Sequence, residues 1–296
     1  MDLTSIEGLI IDMDGVLWRG QEPLPDLPRF FDVLRRAGIR YVLATNNPSR
    51  RSREYAEKAQ RFGIPVGEEQ IISSASVTLD YLAHRYPSGT RVHVIGEPQL
   101  HEMIAEAGYI LAEDQVKVVV ASMDRRMTYD TLKRGTFLLR GGAEFIATNR
   151  DAAYPSDEGI VPGSGTMIAA LVASSDRTPT VMGKPERPLF ELALTRLQLR
   201  PSQAASLGDR LDTDVIGGQA LGLGTILVLS GYTRPEDLRD SPVQPDLVCR
   251  DIAELATRFE AALRLASLSP PSQMGGGGPA VHRRSAQADQ RRAEGQ

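Results

Sequence analysis

Short apolar runs recur along the chain, each bounded by polar residues: "GLIID" (8–12), "RYVLAT" (40–45), "RVHVIG" (91–96), "KVVVAS" (117–122), "EFIATN" (144–149), "PTVMG" (179–183), "AASLGD" (204–209) and "TILVLS" (225–230). Runs of four to six apolar residues without alternation predict strands buried on both faces. Between them lie stretches such as "LPRFFDVLRRAG" (27–38) and "PLFELALTRLQL" (188–199), whose apolar positions recur at helical spacing. Strands alternating with amphipathic helices predict an α/β fold: a mostly parallel, Rossmann-like sheet with helices on both faces. The pattern holds no solenoid repeat. It ends in "SLSPPSQMGGGGPAVHRRSAQADQRRAEGQ", which lacks apolar periodicity and predicts a disordered, solvated tail over 268–296.

Length adds a second unit. At 296 residues the chain has room for two domains or for one carrying an insertion. The segment 79–179 holds its own strand–helix pattern, and its edges, "ISSASVTLDYL" and "SSDRTPTVMGK", are rich in Ser and Thr, as linkers often are. The expected division is a core of 1–78 and 180–267 interrupted by an α/β insertion of 79–179.

Composition mostly excludes. A net charge of −4 gives no pull toward nucleic acid or anionic lipid. No apolar run approaches the ~20 residues needed to cross a membrane. "MDLTSIEG" lacks the basic-then-apolar order of a signal peptide. The single cysteine, Cys249, excludes an intrachain disulfide and fits a cytoplasmic protein. His84, His93, His101 and His282 show no paired metal-ligand spacing.

The chemistry lies where the runs end. Asp12, Asp14 and Gly15 follow "LIID"; Thr45, Asn46 and Asn47 follow "YVLA"; Lys184 follows "TVMG"; Asp209, Asp212 and Asp214 follow "ASLG". Any one of these turns is readable as ordinary helix capping, for Asp, Thr and Asn are favoured N-caps. A lysine is not. If all four strands share one parallel sheet, their ends deliver these groups to one edge, where ligands bind. Several carboxylates with one lysine suit a hard cation such as Mg²⁺ together with an anionic phosphate. Asp12 and Asp14 are two apart and face one side of an extended chain. Close like charges separate their pKa values, which suits Asp12 as an ionised nucleophile and Asp14 as the group that moves a proton.

"DMDGVLW", "TNN", "GKP" and "GDRLDTD", in that order, resemble the four motifs of the haloacid dehalogenase superfamily of phosphohydrolases. The closer resemblance is to its class IIA, NagD-like branch of p-nitrophenylphosphatase-like, phosphoglycolate and pyridoxal phosphatases. It extends from about residue 6 to 250 and includes "GAEFIATNRDAAYP" and "VPGSGTMIAAL". It implies a Rossmann-like core with an α/β cap inserted between the second and third motifs. It also implies residue roles: Asp12 as nucleophile and Mg²⁺ ligand, and Asp14 as acid/base with its backbone carbonyl reaching the metal. Thr45 and Asn46, with Gly15, bind the phosphoryl group; Lys184 neutralises nucleophile and phosphate; Asp209 is a further metal ligand, and Asp214 a supporting carboxylate. Asp212 falls at a variable position and receives no role.

Selectivity then falls to the cap. Asp124 and Arg125 in "ASMDRR", and Asn149, Asp151 and Tyr154 in "TNRDAAYP", end cap strands. Tyr154 is expected to contact the leaving group, or else to pack within the cap. Trp18 in "GVLWRG" reads as packing at the cap–core junction. "GSGT" (163–166) lacks the lysine of a phosphate-binding loop and reads as a helix cap, and "GGQALGLG" (217–224) as close packing and a helix end. The expected function is Mg²⁺-dependent hydrolysis of small phosphate monoesters: sugar phosphates, nucleotides, phosphoglycolate or pyridoxal phosphate. The alternatives are a phosphotransferase or mutase on the same residues, and a non-catalytic binder of phosphate ligands. A homodimer through the cap is the expected assembly.

Overall fold

The computed structural model describes residues 1–156 and 159–268. The expected tail therefore lies outside the described residues, apart from Leu268, which ends a helix running from Ile252. Two parallel sheets organise the fold. The first has six strands in the order 247–249, 224–228, 204–208, 8–12, 40–45 and 71–73, with Gly8–Asp12 near its centre. The second has five, in the order 180–181, 144–147, 118–121, 91–95 and 110–111. This is the Rossmann-like core with an inserted α/β cap. Among the described residues no helix is long and apolar enough to cross a membrane.

Side-chain alternation sorts the buried strands onto two faces. Leu9, Ile11 and Leu43 join a cluster with Phe30, Phe31 and Phe259 from helices Leu27–Ala37 and Ile252–Leu268. Ile10, Val42 and Ala44 point the other way, into a cluster that continues through helices Ser74–Arg85 and Arg187–Leu197 to Val92, Val118, Val120 and Ile146 of the cap sheet. The cap's far face buries Val119, Phe145 and Ala147 under helices Tyr129–Arg140 and Ser164–Ser175. One apolar cluster is thus common to core and cap.

Two expectations are corrected. The strand within "PTVMG" was expected in the core sheet; Thr180–Val181 instead pairs with Ile146 and Ala147 at the edge of the cap sheet. Lys184 is therefore delivered to the core from the other sheet. The Ser-rich edge "ISSASVTLDYL" is also no linker. Ile71–Ser73 is a core strand, and Ser73 caps the next helix by accepting the Ser76 N–H at 3.1 Å. Residue 79 lies inside that helix. Serine here supplies the hydroxyl that an N-cap needs. The two glycine-bearing stretches behave as expected. Gly163 precedes helix Ser164–Ser175, and Gly222, at φ 76°, ends helix Ile216–Leu221.

Candidate active site

Strand Gly8–Asp12 carries Asp12 to the carboxyl edge of the core sheet, with Thr45 and Asp209 at the ends of its neighbours on either side. The chain turns sharply after Asp12: Leu17 N–H donates to Met13 O and Gly15 N–H to Trp18 O, both at 2.8 Å. Gly15 adopts φ +83°, and a Cβ there would meet the Asp209 carboxylate at 2.3 Å. Only glycine suits both constraints. A Cβ at Gly231 would come closer still to that carboxylate, at 1.8 Å. The Asp209 carboxylate accepts the Tyr232 N–H at 2.6 Å.

Lys184 is buried beneath this edge. Its ammonium donates to Asp12 Oδ1 and, at 2.7 Å, to Asp214 Oδ1. A π-helical turn, Leu211–Val215, folds Asp214 inward, where it also accepts from Arg210 N–H and the Thr213 hydroxyl. Burial pushes the Asp12 carboxyl well up, against the pull of Lys184. Burial and the neighbouring Asp214 push Asp209 up to about 7. For Lys184, burial would favour the neutral amine, but Asp12 and Asp214 together outweigh it and hold the ammonium charged. Asp12, Asp209 and Asp214 gather around one ammonium, a surplus of negative charge made only of oxygen donors. That donor set suits a hard dication, although no three carboxylate or imidazole side chains among the described residues form a ready cage.

Asn46 has a different setting from the one expected. Its side-chain amide is bound to Lys184 at both ends, Oδ1 accepting Lys184 N–H at 2.7 Å and Nδ2 donating to Lys184 O at 2.9 Å. Nδ2 also donates to the Asp151 carboxylate at 3.2 Å, and Asn46 O accepts from Asn149 Nδ2 and the Ser74 hydroxyl. The amide ties motif loops of the core to the cap. Thr45 Oγ1 accepts the Asn47 N–H at 3.1 Å, which leaves its own hydroxyl proton to give.

Of the five cap candidates, Asn149 and Asp151 reach the core site through Asn46. Burial raises the Asp151 carboxyl, against the pull of Arg210. Arg125 and Tyr154 meet each other, the guanidinium donating to the phenol oxygen at 3.2 Å, while the Arg125 N–H donates to Glu97. Asp124 accepts the Arg126 N–H in a local turn. Among the described residues no hydrogen bond or ion pair joins these three to the core motifs. Two residues at the rim were not anticipated: Arg210, paired with Asp212 at 2.7 Å, and Tyr232, on whose exposed ring the guanidinium rests at 4.5 Å. Arg210 stood inside "GDRLDTD", but nothing in its spacing distinguishes it from a surface residue.

Comparison with known proteins bears on the same residues. The family model described as haloacid dehalogenase-like hydrolase matches residues 9–110, and a second, HAD-hydrolase-like, matches 181–255. A 5'-nucleotidase of Bacillus subtilis is 33% identical over 82% of this chain and 94% of its own length. A 4-nitrophenylphosphatase of Thermotoga maritima superposes with a TM-score of 0.82 at 34% identity, covering 87% of this chain and 98% of that one. The glycerol phosphate phosphatase of Mycobacterium tuberculosis, solved in complex with magnesium, gives 0.75 at 30% identity over 85% and 76%. The chain belongs to the haloacid dehalogenase-like hydrolases, in the class IIA branch that holds NagD and the 4-nitrophenylphosphatases.

Proposed function

We propose that this protein is a Mg²⁺-dependent phosphatase of small phosphate monoesters that works through a phosphoryl group carried on Asp12. The observation that carries this reading is the Lys184 ammonium shared between Asp12 and Asp214 at the closed end of the site. It favours the ionised form of Asp12 against the opposing effect of burial and presents positive charge where phosphate oxygens would lie. Asp12 attacks phosphorus as the ester P–O bond breaks, and Asp14 gives its proton to the departing oxygen. Water then attacks the same phosphorus, Asp14 takes its proton, and inorganic phosphate leaves with the Asp12 carboxylate restored. Thr45, Gly15 and the Asn46 backbone would hold the phosphoryl oxygens. Asp12, Asp209 and the Asp14 carbonyl would hold Mg²⁺, which when bound supplies charge neutralisation for the transferring group.

The relatives' names point to nucleotides, glycerol phosphate and 4-nitrophenyl phosphate as the classes to try. A cap-mediated homodimer and residence in the cytoplasm belong to the same reading, the latter supported by one buried cysteine. The test is a panel of phosphate esters with Mg²⁺, run on the wild type and Asp12→Asn. The wild type is expected to release phosphate from at least one ester, and the variant to lose about 10⁴-fold or more. Full turnover by Asp12→Asn would overturn the covalent route, and a wild type inert on every ester would overturn the phosphatase reading.

A further inference from the structure

Asp14 is exposed, whereas Trp18, four residues on, has no exposed surface at all. The turn that brings them together is closed by the Leu17 N–H to Met13 O and Gly15 N–H to Trp18 O bonds. Across it the indole Nε1–H donates to Asp14 Oδ1 at 2.9 Å. Among the described residues this is the one side-chain hydrogen bond to that carboxylate. Packing alone does not require tryptophan, since Phe30 and Phe31 fill the same cluster without a polar atom. The ring is itself fixed, with Phe62 tilted against it at 5.8 Å and the Lys58 ammonium 4.3 Å from its centroid. Lys58, a buried lysine, is anchored in turn to Gly20 O at 2.7 Å. A cation over the ring face draws electron density from the indole and strengthens its N–H as a donor.

We infer that Trp18 is a positioning residue for the proton-transfer step: its N–H holds Oδ1 of Asp14 and so fixes the second oxygen for the departing group. An exposed aspartate without that bond would sample several rotamers, and proton transfer depends on a held geometry. The inference rests on the proposed acid role of Asp14, and the experiment separates the two.

The probes are phenyl phosphate and 4-nitrophenyl phosphate, nearly equal in shape. Phenolate is the stronger base and needs protonation as it leaves; 4-nitrophenolate needs little. The measured quantity is kcat/KM, which covers steps only through departure of the leaving group. The variants are Trp18→Phe and replacement of Trp18, the chain's one tryptophan, by benzothienylalanine. That analogue keeps the indole shape with sulfur in place of N–H, so it tests the bond even if Trp18→Phe fails to fold.

Both replacements are expected to lower kcat/KM about tenfold on phenyl phosphate and less than about threefold on 4-nitrophenyl phosphate. Asp14→Asn should show the same bias, larger. An equal loss on both esters, or none on either, from the benzothienylalanine protein would overturn the role of Trp18. If Asp14→Asn itself slows both esters alike, the acid assignment falls and this inference with it.

Discussion

Core and cap are built alike, each a parallel sheet between helices, yet they treat charge in opposite ways. At the closed end of the core site the ionic groups are taken out of water: the Lys184, Asp12 and Asp214 side chains are 4%, 13% and 3% exposed. At the cap rim they stay in it, as with Arg125, 61% exposed beside Glu97. A buried charge is tolerable only with its partners in place, which makes the core arrangement stringent. An exposed pair is worth little and is readily exchanged. In the proposed function, the difference matches phosphoryl transfer at the core and recognition of the leaving group at the cap.

The strongest way to break that contrast is Lys184→Met. It strands Asp12 and Asp214 as a buried, unpaired pair, so about 3–5 kcal/mol of stability should be lost in urea unfolding. Phosphatase turnover should fall about 10³-fold or more. A loss under about 1 kcal/mol would place this ion pair with the surface pairs of the cap.

That lysine also shows where the sequence ceased to be legible. The polar residues after apolar runs were readable because a buried strand shows as an unbroken apolar stretch. Sheet membership was not, because "TVMG" is equally apolar whichever sheet takes it, and Thr180–Val181 pairs with residues some thirty positions earlier. The partners of Asn46 lie 28, 103, 105 and 138 residues away, beyond any local spacing. The Trp18 N–H was hidden for a different reason: apolar patterning counts the ring and ignores its one polar atom.

A smaller effect should come from Tyr154→Ala, which removes the phenol that Arg125 meets. Rates across a series of phosphate esters should shift unequally, by up to about tenfold for the ester best matched to the wild type. A uniform change would mean that this rim takes no part in selection.

The smallest effect, and the one that sharpens the boundary between the two regions, concerns Asp151, the cap carboxyl that reaches the core. Burial holds its pKa above the ordinary 3.8, against the pull of Arg210. Its contribution to stability is thus fully present below that ordinary value and is lost as pH rises through the raised one. Asp151→Asn can still accept from Asn46 and has nothing to ionise. Relative to wild type, its Tm should therefore improve as pH rises from about 4 through the neutral range. A constant difference across that range would show that Asp151 does not sense its burial.

The apolar cluster running from Ile10 and Val42 through to Val118 and Ile146 bears on modularity. An insertion invites the idea of an interchangeable part, to be cut out or swapped for another of the same length. Here excision would bare the cap-facing sides of helices Ser74–Arg85 and Arg187–Leu197, which join Ile10, Val42, Ala44 and Ile72 of the core sheet to the cap. On the proposed role of the rim, new specificities are to be sought by editing it one residue at a time. Transplanting a foreign cap would require rebuilding the seam beneath it.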